Sequence, residues 1–170
     1  MRSLDVANYL IANWSDQLDL TNLKLNKLVY YAQVIALRKY GEPLFEDPIQ
    51  AWEYGPVEPA VYREFKQYGS RSVPAPHGKV IEDARLSAVA DELRQTYGKL
   101  MTFDLVRLSH REGGAWEKTY EEGKNNVITP QMIRDSVDFT AEVPWKHTFT
   151  WGVQEVDRRW PNALRMLENS

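Results

Sequence analysis

The sequence predicts a mainly α-helical, compact domain with one or two short β-strands and an aromatic-rich C-terminal extension. Three observations predict it. Apolar residues recur at helical spacing along most of the chain, as they do where one helix face turns toward a core. One stretch, Ile49 to Tyr54, instead alternates like a strand. Glycines and prolines fall between these stretches, where helices start and stop.

The first helix is expected to begin after Ser3, with Ser3 as its cap and Val6, Ala7, Leu10, Ile11 and Trp14 facing inward. Ser15 to Asp19 reads as a polar linker. Thr21 is the next N-cap, with Leu20 and Leu25 placed as a hydrophobic staple. Leu25, Leu28, Val29, Ala32, Ile35 and Ala36 give the second helix its inward stripe, and Gly41 ends it. In the strand, Ile49, Ala51 and Glu53 share one side, while Gln50, Trp52 and Tyr54 share the other. Gly55-Pro56 reads as a turn, and Pro59 as the first residue of a helix that halts at Gly69. Ser70 to Lys79 is expected to be a loop and the most mobile segment. Ile81 to Tyr97 returns to helix, Thr102 caps a short one, and Trp116 and Tyr120 lie one turn apart in another. Thr129-Pro130 starts a helix running toward Val137. In the tail, Trp145, Phe149 and Trp151 suggest an extended stretch, followed by a helix through Val153, Val156 and Trp160 that Pro161 breaks. Residues 1–140 form the expected domain, and 141–170 an extension of unassigned role.

Composition bounds the function. At 170 residues, with 43% apolar and 26% charged content, the chain suits one globular domain. It has no cysteine, which excludes disulfides, thiolate zinc sites and a thiol nucleophile. A net charge of −3 gives no electrostatic footprint for nucleic acid. No window reaches the ~18 apolar residues of a membrane span, and Asp5 and Asn8 interrupt any signal-peptide core. The expected location is cytoplasmic.

Catalytic patterns are missing. His77, His110 and His147 form no HExxH pair, and the chain has no GxSxG elbow, SxxK pair or phosphate loop. His110 reads as a helix-end cap or a donor to a backbone carbonyl, and Gly113-Gly114 as a turn. No metal and no cofactor is expected. Lys24 and Lys27 read as a solvated helix flank. The aromatic surplus, six Trp and nine Tyr, serves a core or a binding surface. The candidate partner-binding residues are Lys27, Tyr30, Tyr31, Trp52, Tyr54, Tyr62, Trp145 and Trp151.

Three blocks carry a resemblance: KLNKLVYYAQ, then PLFEDPIQAWEYGPVEPAVYREFKQYG, then LSHREGGAWEKTY followed by ITPQMI. Together, over about Leu4 to Arg134, they resemble the Panacea domain, the SocA-like antitoxin domain frequent in phage-associated proteins. The matching positions are Lys27, Leu28, Tyr30 and Ala32, then Ala51, Trp52, Tyr54, Gly55, Pro56, Val57 and Tyr62, then His110 and Trp116. Among them Gly55, Pro56, Val57, His110 and Trp116 form the structural motif. The resemblance implies a helical, non-enzymatic antitoxin of a toxin–antitoxin system. Its partner is a cognate toxin, encoded by an adjacent gene and silenced by direct contact. It also implies an alternative, an adaptor that delivers a toxin to a cytoplasmic AAA+ protease. A small hydrolase using His110 and Glu112 is the reading furthest from it. The tail beyond about Val143 and the Gly113-Gly114 pair depart from the family pattern.

Overall fold

The computed structural model describes residues 1–159, apart from the side chains of Asp157 and Arg159. Nine α-helices occur among them: α1 (Ser3–Trp14), α2 (Asn22–Tyr40), α3 (Pro59–Phe65), α4 (Ala84–Leu93), α5 (Thr102–Ser109), α6 (Ala115–Thr119), α7 (Pro130–Arg134), α8 (Val137–Thr140) and α9 (Phe149–Arg159). Three short strands, β1 (Ile49–Trp52), β2 (Gly55–Val57) and β3 (Val127–Ile128), form an antiparallel sheet in the order β2-β1-β3. The chain is mainly α with few short strands, as its periodicity predicts.

Helix α2 is the axis of the molecule. It packs against α1, α3, α4, α5, α7, α8 and β2. The sequence stripe predicted one inward face, yet every residue from Lys24 to Leu37 is buried. A helix surrounded on all sides must seal its polar side chains too, and these then need partners. Gln33 shows how this is done. Its Nε2 donates to Phe45 O at 2.9 Å, while its Oε1 accepts from Leu44 N at 2.7 Å. One amide thereby holds the loop after α2 against the core.

The predicted punctuation largely reappears. Thr21 Oγ1 accepts from Lys24 N at the start of α2, and Gly41 ends that helix at φ 71°. Pro59 opens α3 and Pro130 opens α7, the latter capped by Thr129. Several expectations are corrected. Ser3 does not cap α1. It is the first helical residue, and its Oγ donates to Glu58 Oε2 at 2.6 Å. Gly55-Pro56 is strand rather than turn; the reversal falls on Glu53-Tyr54, so that Trp52 pairs with Gly55. Pro56 is tolerated because β2 is an edge strand, where a missing N–H breaks no ladder. Thr102 lies inside α5, with Met101 at the cap position. The helix from Pro130 stops at Arg134 and restarts at Val137.

The loop from Ser70 to Lys79 is tied down at His77. Its backbone pairs reciprocally with the Asn8 amide, and its ring meets Glu64 at 2.8 Å and the Tyr68 hydroxyl at 2.7 Å. The tail is helical where an extended stretch was expected. A 3₁₀ turn over Trp145–His147 leads into α9. The reason is local: the Asp104 carboxylate accepts from the first N–H groups of α9, Phe149 N at 2.7 Å and Thr150 N at 2.8 Å. A carboxylate so placed satisfies orphan donors and complements the helix dipole. Trp160 and Pro161 lie outside the described residues. No helix among the described residues is long and apolar enough to cross a membrane.

Candidate partner-binding site

A groove of about 410 Å³ lies between the start of α2, the β1–β2 hairpin and α3, lined by Leu23, Asn26, Trp52, Tyr54, Tyr62 and Lys66 among others. Tyr54, at the tip of the hairpin, is 63% exposed; Leu23 and Tyr62 are each 38% exposed. Trp52 and Tyr62 meet edge to face, with ring centroids 4.9 Å apart. Such pairs hold large rings in place at little entropic cost, which suits a protein-binding surface.

The hairpin that presents these rings is bonded to the core from below. Trp116 Nε1 donates to Trp52 O at 2.7 Å. Lys27 Nζ donates to Pro56 O at 3.0 Å. Gly55 at φ 109° lies directly over that amine, and a Cβ there would come within 2.8 Å of both Lys27 Nζ and Ser109 Oγ. This glycine is required twice, by conformation and by space. Trp116 continues a stack, with His110 at 3.7 Å on one side and Tyr120 at 4.7 Å on the other.

Lys27 is fully buried, and no carboxylate forms an ion pair with it among the described residues. Burial lowers its pKa to about 7, because an ammonium loses its hydration there. Burial also lowers the His110 pKa, helped by the nearby Lys27 charge and opposed by the Tyr54 carbonyl. Lys24 is buried as well, and burial lowers its pKa against the opposing influence of Asp19. The expected solvated lysine flank is thus an interior feature.

Two further candidates are also interior. Tyr30 and Tyr31 are buried, so neither ring offers surface to a partner. Tyr30 Oη donates to Asp138 Oδ2 at 2.7 Å, and Tyr31 stacks on Tyr97 at 4.3 Å. Desolvation raises both hydroxyl pKa values well above the ordinary range, with the Asp138 charge acting in the same sense. Trp145 is half-buried and packs against the main core, and Trp151 is half-buried on α9. The structure therefore brings Trp52, Tyr54 and Tyr62 together and leaves Trp145 and Trp151 on the tail.

Sequence reasoning missed Asp138 and Asp104. Asp138 is fully buried and accepts from Tyr30 Oη, Arg111 Nε at 3.0 Å and Ala115 N at 2.9 Å. It explains Gly114, where a Cβ would come within 3.0 Å of Arg111 O and 3.3 Å of Asp138. His110 occupies the C-cap of α5, its backbone N–H bonded to Val106 O and Arg107 O. No bond joins it to Glu112 among the described residues, and no cluster of three potential metal ligands occurs there.

Comparisons with known proteins identify a family. A family model described as antitoxin SocA-like, Panacea domain, matches residues 25–117, which contain all but the first turn of α2, the hairpin, α3 and the His110–Trp116 stack. Antitoxin SocA of Caulobacter vibrioides (strain NA1000 / CB15N) is 30% identical over 140 residues, covering 71% of this chain and 73% of its own length. No solved structure matches. The family match over more than half of the chain and the 30% identical relative lead to one conclusion: the chain belongs to the SocA-like, Panacea-domain antitoxin family.

Proposed function

We propose that this protein is a non-enzymatic antitoxin that neutralises a cognate toxin, encoded by an adjacent gene, by docking onto it through the hairpin groove. The observation that carries this reading is the groove cluster inside the family-matched segment, in which Tyr54 and Tyr62 are exposed and Trp52 is half-buried against Tyr62. Aromatic anchors in a partly preformed groove concentrate binding energy, and a stable complex of this kind buries over ~1,000 Å². Neutralisation is steric, with the antitoxin covering the toxin's active site or substrate path. Residues 141–170 act as an extension to the domain that adds partner-specific contacts. The cytoplasm is the site of action.

Co-expression with the neighbouring open reading frame tests this. The neighbour alone arrests growth, this protein restores it, and the two co-elute. A harmless neighbour, or toxicity that persists, overturns the reading. Toxin half-life separates the mechanisms: steric neutralisation leaves it unchanged, whereas delivery to a AAA+ protease shortens it.

A further inference from the structure

A second surface lies where the tail meets the domain. A cleft of about 280 Å³ opens between α5 and the segment leading into α9, and Arg107, Arg111 and His147 line it together with Asp104. Asp104 is the one carboxylate among those lining residues, and it is already engaged. It is buried, and accepts from two backbone N–H groups of α9 and from the Thr150 hydroxyl. Arg107 is exposed, and no carboxylate forms an ion pair with it among the described residues; its guanidinium lies over the Phe103 ring at 5.8 Å. Arg111 uses Nε and Nη2 to hold Asp138 and Val137 O. With Arg111 paired to Asp138, Arg107 is the lining guanidinium left without a carboxylate among the described residues, on a chain whose net charge is −3.

Beside it stands an exposed aromatic pair. Phe103 is 59% exposed and Phe149 is 54% exposed, with their rings edge to face at 6.3 Å. One ring comes from the domain and the other from the tail. An arginine stacked on an aromatic face keeps its charge available while its plane is oriented for a carboxylate.

From this charge complementarity we infer that the α5–α9 junction is a docking site for an acidic, leucine- or phenylalanine-bearing polypeptide segment. Its carboxylate enters the Arg107–Arg111 cleft, and its apolar side chain covers the Phe103–Phe149 pair. Naming the toxin as the source of that segment rests on the function proposed above. The role of the tail follows: by supplying Phe149 and His147, it completes a surface that the domain alone does not form.

The probe is a fluorescein-labelled peptide of alternating glutamate and leucine, titrated with the full chain and followed by anisotropy. Saturable binding is expected, weakening as salt rises. Arg107→Glu weakens it at least tenfold, and the Phe103→Ser, Phe149→Ser double variant weakens it comparably. A lysine–leucine peptide does not bind. Arg107 is exposed, so an unchanged unfolding midpoint verifies that R107E is folded. Absence of binding overturns the inference, as does equal binding by the lysine–leucine peptide. Displacement of the labelled peptide by inorganic phosphate at equal concentration identifies a simple anion site instead and also overturns it. The assay contains no toxin, so its failure leaves neutralisation intact, and failed neutralisation leaves the peptide result standing. Where both hold, R107E reduces rescue in co-expression; full rescue by R107E removes the toxin as the source.

Discussion

Lys27 and Asp138 are both sealed inside this protein, and they are treated differently. Asp138 is given an arginine, a phenol and a backbone N–H. Lys27 is given one carbonyl oxygen and a glycine lid. A buried ion is held as an ion only when its partners replace the hydration it loses. Where they are too few, the group titrates instead. The aspartate junction, joining α2, the turn after α5, α6 and α8, is therefore a fixed joint. The lysine junction supports the hairpin with a group whose charge is adjustable near neutral pH, and the hairpin carries the exposed rings.

The largest expected effect breaks the fixed joint. Asp138→Ala leaves Arg111 without its partner and strands two donors, costing about 3–5 kcal/mol in denaturant unfolding. A cost below ~1 kcal/mol would mean that the joint is not what fixes these helices. Gly55→Ala comes next. It forces a side chain into positive φ and onto Lys27 and Ser109, and should cost about 2–4 kcal/mol.

The pH dependence of stability sharpens the contrast. The Lys27 pKa in the fold, about 7, lies below its ordinary 10.5. Between those values the unfolded chain holds a proton that the native state has released, so stability rises with pH, with a limiting slope of about 1.4 kcal/mol per pH unit. His110, whose pKa is also lowered, extends the same trend to the acid side. The buried tyrosines have raised pKa values and reverse the trend above ~10, where the unfolded phenols ionise first. Lys27→Met should flatten the rise between about pH 7 and 9. An unchanged slope would show that this amine is charged in the fold. Lys27→Met should also lower affinity for the toxin, although the residue is out of a partner's reach, because the hairpin loses a tie.

The smallest effect on stability belongs to the outer surface. Tyr54→Ala should change stability by less than ~0.5 kcal/mol and yet weaken toxin binding about tenfold or more in calorimetry. If stability falls while affinity holds, the hairpin ring is packing and not a contact.

Much of the fold was legible because helix punctuation is local. Thr21, Gly41, Pro59 and Thr129-Pro130 do what their chemistry predicts within a turn of their position. The burial of α2 was not legible. Lys24 and Lys27 look like a solvated flank, and Asn26 and Gln33 lie outside the apolar stripe, until β2, the start of α3 and the loop after α2 arrive with partners for Lys27, Asn26 and Gln33. Of the candidate site, Trp52, Tyr54 and Tyr62 could be read from the strand and its following helix. Tyr30 and Tyr31 could not be told from surface rings, because the partner that draws Tyr30 inward, Asp138, is 108 residues away. The tail was misread for a related reason: its helix starts on a carboxylate from α5, 45 residues earlier.

The bond from Trp116 to the main-chain oxygen of Trp52 has an evolutionary consequence. Because the tie is made to backbone, the indole at 52 and the phenol at 54 can be exchanged without loosening the hairpin that displays them. Under the proposed function, a lineage re-aims its antitoxin at a new adversary by editing these rings, while the scaffold beneath is inherited intact.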